Sequence, residues 1–97
     1  MKYSVSLTDV FTKWVRKLKD RQAARAIALR IDRAILGNFG DVKAVGGGVY
    51  EMRIFIGKGY RVYYVVRGEK LIVLLCGGDK STQAYDINKA KTLAKSV

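Results

Sequence analysis

Residues 49–66 constrain the fold more tightly than any other stretch of this 97-residue chain. Val49-Tyr50-Glu51-Met52-Arg53-Ile54-Phe55-Ile56 alternates apolar and polar side chains over most of its length, breaks at Gly57-Lys58-Gly59, and resumes as Tyr60-Arg61-Val62-Tyr63-Tyr64-Val65-Val66. A period of two is that of a β-strand, and two such runs separated by a short Gly-rich break read as a hairpin. Side chains on a strand alternate between faces, so Glu51 and Arg53 share a face of the first strand, and Arg61 and Tyr63 share a face of the second. One carboxylate and two guanidinium groups can then converge, a combination suited to acid-base work beside a phosphate.

The remaining elements follow from period and punctuation. Tyr3, Val5 and Leu7 alternate with polar neighbours and predict a first strand. Thr8 can cap a helix to about Lys19, with Phe11, Trp14, Val15 and Leu18 on one face, and Asp20 starts a second helix to about Leu36 with Ala24, Ile27, Ile31 and Ile35 inward. Trp14 and Phe11 are assigned to the core. Gly37-Asn38 ends the second helix, Asn38–Asp41 is a loop, and Gly46-Gly47-Gly48 is a turn. Strands are expected over 49–56, 60–67 and 71–76, the last apolar on both faces and therefore inside the sheet. Gly77-Gly78-Asp79 leads into a helix from about Ser81 to Ala94, with Ala84, Ile87, Ala90 and Leu93 or Ala94 inward. The expected fold class is α+β, one domain over residues 1–97 in the order β-α-α-β-β-β-α. An antiparallel-rich twisted sheet packs on an N-terminal helical hairpin, and a helix closes the chain.

Composition restricts the chemistry. Nineteen Lys and Arg against eight Asp and Glu leave a net charge of +11, spread along the chain, which suits a polyanionic partner. The chain has no histidine and one cysteine, Cys76, so histidine-based nucleophile systems and a conventional zinc site are excluded. No metal and no cofactor is expected. The absence of a signal peptide pattern, a lipidation motif or a long apolar run, together with the lone Cys76, predicts a cytoplasmic protein.

Two glycine-rich segments resemble nucleotide loops and fail the spacing test. In Cys76-Gly77-Gly78-Asp79-Lys80-Ser81-Thr82, Asp79 separates Gly78 from Lys80, and Gly57-Lys58-Gly59 is followed by Val62 where a dinucleotide fingerprint needs its third glycine. Lys80, just before a helix N-terminus, still stands where a phosphate can be held. The competing reading of Glu51, Arg53 and Arg61 is a cross-strand ion pair on a solvated face, worth about 0.2–1 kcal/mol. Sheet tyrosines such as Tyr60, Tyr63, Tyr64 and the helical Tyr85 fit either a half-buried packing role or a base-stacking platform.

Taken together, the element order, Tyr50-Glu51-Met52-Arg53, Gly59-Tyr60-Arg61-Val62-Tyr63-Tyr64 and Leu74–Gln83 resemble the RelE/ParE toxin superfamily. The resemblance extends to the Gly37–Lys43 loop and is nearest the HigB-like addiction-module killer subgroup. It implies a type II toxin that enters the ribosomal A site and cleaves mRNA without a metal, partnered by an antitoxin encoded alongside. By motif, it makes Arg61 and Arg53 the phosphate clamp, Glu51 a candidate base, and Lys80 a charge-stabiliser or proton donor, with a lysine base left open. Lys58, Tyr63 and Tyr85 are the candidate RNA contacts, and the lack of the histidine some relatives carry leaves the general acid unassigned. The alternatives are a ParE-like gyrase inhibitor without nuclease residues, or a basic nucleic-acid-binding module without catalysis.

Overall fold

The computed structural model describes residues 2–97. Its elements are β1 (Ser4–Leu7), α1 (Asp9–Arg16), α2 (Arg21–Ile35), β2 (Val42–Gly46), β3 (Val49–Ile54), β4 (Tyr60–Arg67), β5 (Leu71–Gly78), a single 3-10 turn (Lys80–Thr82) and α3 (Gln83–Ala94). The five strands form one sheet in the order β1-β5-β4-β3-β2. β1 runs parallel to β5 and every other pair is antiparallel. β5 therefore has a neighbour on each side, as its all-apolar sequence requires.

Both helices of the hairpin start at the caps expected of them. The Thr8 hydroxyl accepts from the Phe11 N–H, and the Asp20 carboxylate accepts from the Ala23 N–H, each at 3.0 Å. The Thr8 hydroxyl also donates to the Leu75 carbonyl, fastening the start of α1 to the sheet. α1 is shorter than its apolar period suggested, stopping at Arg16 rather than near Lys19. The expected order also lacks one strand: Val42–Gly46 pairs with β3 at the edge of the sheet, with a bulge between Ala44 and Gly46. Five residues between Gly40 and Gly46 carry too little pattern to reveal an edge strand, which the pairing with β3 creates.

The alternation along the strands separates two cores. Met52, Ile54, Val62, Tyr64, Ile72 and Leu74 pack with Phe11, Ala23, Ile27 and Ala34 of the hairpin. Val49, Tyr63, Val65, Val73 and Leu75 pack on the other face with Ala90 and Ala94 of α3. Trp14 is partly buried at the margin of the first core. The inward face of α3 is rotated from the expected one: Ala84 is exposed, and Asp86 is buried in its place.

Where the helices meet the end of β5, two glycines make room. A Cβ at Gly77 would lie 2.3 Å from the Trp14 ring on one side, and a Cβ at Gly78 would lie 1.9 Å from the Asp86 carboxylate on the other. A side chain at either position would force the Trp14 ring or the Asp86 carboxylate to shift. Among the described residues, no helix is long and apolar enough to cross a membrane.

Candidate functional site

The β3–β4 register brings onto one face the two pairs that alternation had aligned within each strand. Glu51 faces Tyr63 and Arg53 faces Arg61 directly across the two strands, all four on the sheet face that α3 covers in part. The outcome differs sharply from one residue to the next.

Glu51 is fully buried. Its Oε2 accepts from the Tyr63 hydroxyl at 3.0 Å and from the Gln83 side-chain amide at 2.9 Å, and lies 3.6 Å from Arg61 Nε. Burial, and then the bond to Glu51, drive the Tyr63 phenol pKa far above its ordinary value, so Tyr63 is a neutral donor. Tyr63 has no exposed surface, and the stacking role expected of it fails for that reason. Tyr85 is 68% exposed, with Lys89 Nζ 6.0 Å from its ring centre.

Arg61 is nearly enclosed, its side chain 11% exposed, and its Nη1 donates to the Gly59 carbonyl at 2.9 Å. Gly59 takes φ +75°, a conformation that favours glycine, and a Cβ there would lie 3.6 Å from Lys80 Cβ and 3.7 Å from Arg61 Nη1. The turn thus draws Lys80 and Arg61 around one point. Together with Lys58 and Phe55 they line a shallow pocket of about 330 Å³. Phe55, which the sequence reading did not single out, is 77% exposed with the Arg53 guanidinium 5.9 Å from its ring centre. The signal in the sequence was spacing: Phe55 stands two residues after Arg53, on the charged face of the run, and three before Lys58 of the turn.

Arg53 is held from outside the hairpin. Its Nη2 donates to Asp41 at 2.8 Å, and that bond and the Asp41 charge raise the guanidinium pKa above its ordinary value. Asp41 is in turn positioned by Arg30 of α2, whose guanidinium donates to the carbonyls of Arg53, Phe39 and Asp41. Burial of Arg30 lowers its pKa, a shift that three carbonyl acceptors help a charged group to withstand. Neither Arg30 nor Asp41 is visible as a site residue in sequence, because the contacts join α2, a loop and β3.

Among the described residues, the buried side-chain nitrogen and oxygen atoms left without a hydrogen bond are Glu51 Oε1, Arg53 Nε and Arg61 Nε. All three belong to this cluster. An unpaired buried polar atom costs about 1–3 kcal/mol, so a stable domain tolerates a concentration of them where a ligand completes the set. No group of three or more His, Cys, Asp or Glu converges among the described residues.

The fold has counterparts among solved structures. A free-state structure of a double alanine mutant of the E. coli toxin RelE superposes with a TM-score of 0.75 at 19% identity, covering 95% of this chain and 96% of that one. The toxin-antitoxin complex RelBE2 of Mycobacterium tuberculosis matches at TM-score 0.64 and 20% identity, over 82% of this chain and 100% of that one. At these identities the likeness establishes the fold. An uncharacterized protein of Haemophilus influenzae is 47% identical over 97 residues, covering 100% of this chain and 98% of its own length. The family model of phage derived protein Gp49-like (DUF891) matches residues 13–96. The chain belongs to the Gp49-like (DUF891) family and has the fold of the RelE toxin superfamily.

Proposed function

We propose that this protein is the toxin of a type II toxin-antitoxin module, of the HigB-like kind, acting in the cytoplasm as a ribosome-dependent mRNA endonuclease. The observation that carries the reading is the pairing of Arg53 with Arg61 across two strands, with unpaired buried nitrogens on both, beside a pocket lined by Lys58 and Lys80. A RelE-like fold and relatives solved as toxin-antitoxin complexes support a protein antitoxin as partner.

In the reaction the 2′-oxygen forms a bond to the adjacent phosphorus and the bond from phosphorus to the 5′-oxygen breaks, leaving a cyclic phosphate and a 5′-hydroxyl. Arg61 and Arg53 neutralise the charge that grows on the phosphorane oxygens, a fixed arrangement that needs no reorganisation during the step. Glu51, buried beneath Arg61, has no surface with which to reach a 2′-hydroxyl; it acts as a positioning residue for the Arg61 guanidinium. Of the exposed pair Lys58 and Lys80, one as the free amine would take the 2′ proton and the other as the ammonium would give a proton to the leaving 5′-oxygen. Phe55 offers a ring for a flanking base. So open a pocket orients single-stranded RNA poorly, and the ribosome supplies the missing orientation.

Primer extension on a reporter transcript with and without its start codon tests the reading. Cleavage within the reading frame of the translated transcript only is expected. Equal cleavage of both transcripts would remove ribosome dependence, and growth arrest with intact mRNA and trapped gyrase would replace the reading with gyrase inhibition.

A further inference from the structure

Beside the phosphate pocket lies a larger cleft, about 640 Å³, that the proposed reaction does not use. It exists because β1 pairs with β5 only across Leu71–Leu74, so no strand covers the outer edge of residues 75–78. α1 and α3 flank the gap with Trp14 and Lys17 on one wall, Thr82 and Lys89 on the other, and the Asp86 carboxylate within. Asp86 is only 6% exposed, yet its one side-chain hydrogen bond is from the Thr82 hydroxyl to Oδ2 at 2.6 Å. A carboxylate has about four acceptor positions, and here most are unused although the group is nine-tenths buried and lines an open cleft.

The cleft is continuous with the site already described. Gly78, against which the Asp86 carboxylate rests, is the cross-strand partner of Arg61, and Lys58 lines both concavities. A ligand that spans them must carry phosphate to Arg61 and hydrogen-bond donors to Asp86, while tolerating an aromatic wall and a lysine rim. A nucleotide next to the scissile phosphate meets all three demands. The carboxylate only accepts, so it favours bases with an exocyclic amino group, and it opposes uracil, whose single N–H is flanked by two carbonyl oxygens.

Resting on the reading of this protein as an RNA enzyme, we infer that the cleft between α1 and α3 is a nucleobase subsite in which Asp86 selects amino-bearing bases over uracil at the position beside the cleaved bond. Lys17 and Lys89 hold the neighbouring phosphates.

Binding of 2′-fluoro octamers of cytidine and of uridine, which lack the attacking hydroxyl and carry equal charge, tests the subsite apart from cleavage. The parent is expected to bind the cytidine octamer at least about fivefold more tightly, within the range of one good base contact. Asp86→Asn, which keeps the shape and can still pair with Thr82, should bring the two affinities within about twofold, with its thermal melt confirming the fold. The Lys17→Ala/Lys89→Ala double variant, at exposed positions, should weaken both octamers alike and leave their ratio unchanged. Equal affinities in the parent, a preference that survives in Asp86→Asn, or undiminished binding in the lysine variant would overturn the subsite. If Asp86→Asn does not fold, the parental ratio and the lysine variant still decide. Because no cleavage is read, a protein that prefers cytidine but leaves cellular mRNA intact would uphold the subsite and refute the nuclease reading.

Discussion

Arg61 and Arg53 face each other across two strands, but different scaffolds hold them. Arg61 is set by Glu51, itself anchored by Tyr63 and Gln83, while Arg53 is set by Asp41 and, through it, by Arg30. If Arg61 stabilises charge that develops only in the transition state, Arg61→Ala should lower the cleavage rate about 10²–10³-fold. Ribosome affinity should stay within about tenfold, since losing one phosphate contact reduces the salt dependence by about one charge. Single-turnover cleavage on programmed ribosomes, beside binding across a salt series, separates the two; near-parental cleavage at saturation removes Arg61 from the site. Arg30→Ala should release the Phe39–Asp41 loop and with it Arg53, so its cleavage defect should shrink when measured in an Asp41→Asn background. Additive losses in that double-mutant cycle would show that Arg30 and Asp41 act separately.

At the scale of elements, the last turn of β5 decides how the helices approach. Its two glycines let Trp14 of α1 and Asp86 of α3 lie against opposite faces of one strand, which closes the end of both cores and opens the cleft between the helices. Gly77→Ala should therefore destabilise by about 1–3 kcal/mol, as forced overpacking does, or more if the indole cannot shift. Urea unfolding of the variant gives the number, and an unchanged midpoint would mean that Trp14 moves aside without loss. Trp14→Ala is expected to cost less than the removal of a fully enclosed aromatic, because the ring sits at the margin of its core. The edge strand β2 shows the limit of local pattern. Its residues are mostly exposed, and the hydrogen bonds with β3 rather than any apolar period hold it in the sheet.

For the molecule as a whole, buried thiol and phenol groups set an alkaline limit, Cys76 and Tyr64 among them. Burial pushes the Cys76 thiol and the Tyr64 phenol each up to about 12, from ordinary values of 9.0 and 10.0. Both are neutral when protonated, and both pKa values are higher folded than unfolded. Their contribution to stability is thus complete below about pH 9 and is lost as pH rises toward 12, because the unfolded chain releases these protons first. The expected slope is about 1.4 kcal/mol per pH unit for each group in its window. Between pH 9 and 10 the decline belongs chiefly to Cys76, so Cys76→Ala should flatten that part of a urea-stability profile whatever its effect at neutral pH. A parent whose stability is flat to pH 11 would contradict the burial argument.

What the sequence determined by itself was local: caps at Thr8 and Asp20, the period-two runs of β3, β4 and β5, the interior place of β5, and the sharing of a strand face by Glu51 with Arg53 and by Arg61 with Tyr63, two pairs that only the β3–β4 register joined. Each follows from residue spacing along one or two neighbouring elements, which the chain encodes directly. The absence of histidine likewise limits any proton transfer to other side chains before a fold is known. Tertiary structure alone decided which of the aligned residues reach solvent. It sank Glu51 and Tyr63 beneath Gln83 of α3, left Phe55 exposed at the hairpin's end, and turned Asp86 inward where the helical period pointed Ala84. It also enlisted Arg30 and Asp41, whose contacts with Arg53 depend on how α2 and its following loop dock on β3. Burial and long-range hydrogen bonds depend on which elements meet, and that meeting is a property of the packed chain rather than of any segment within it.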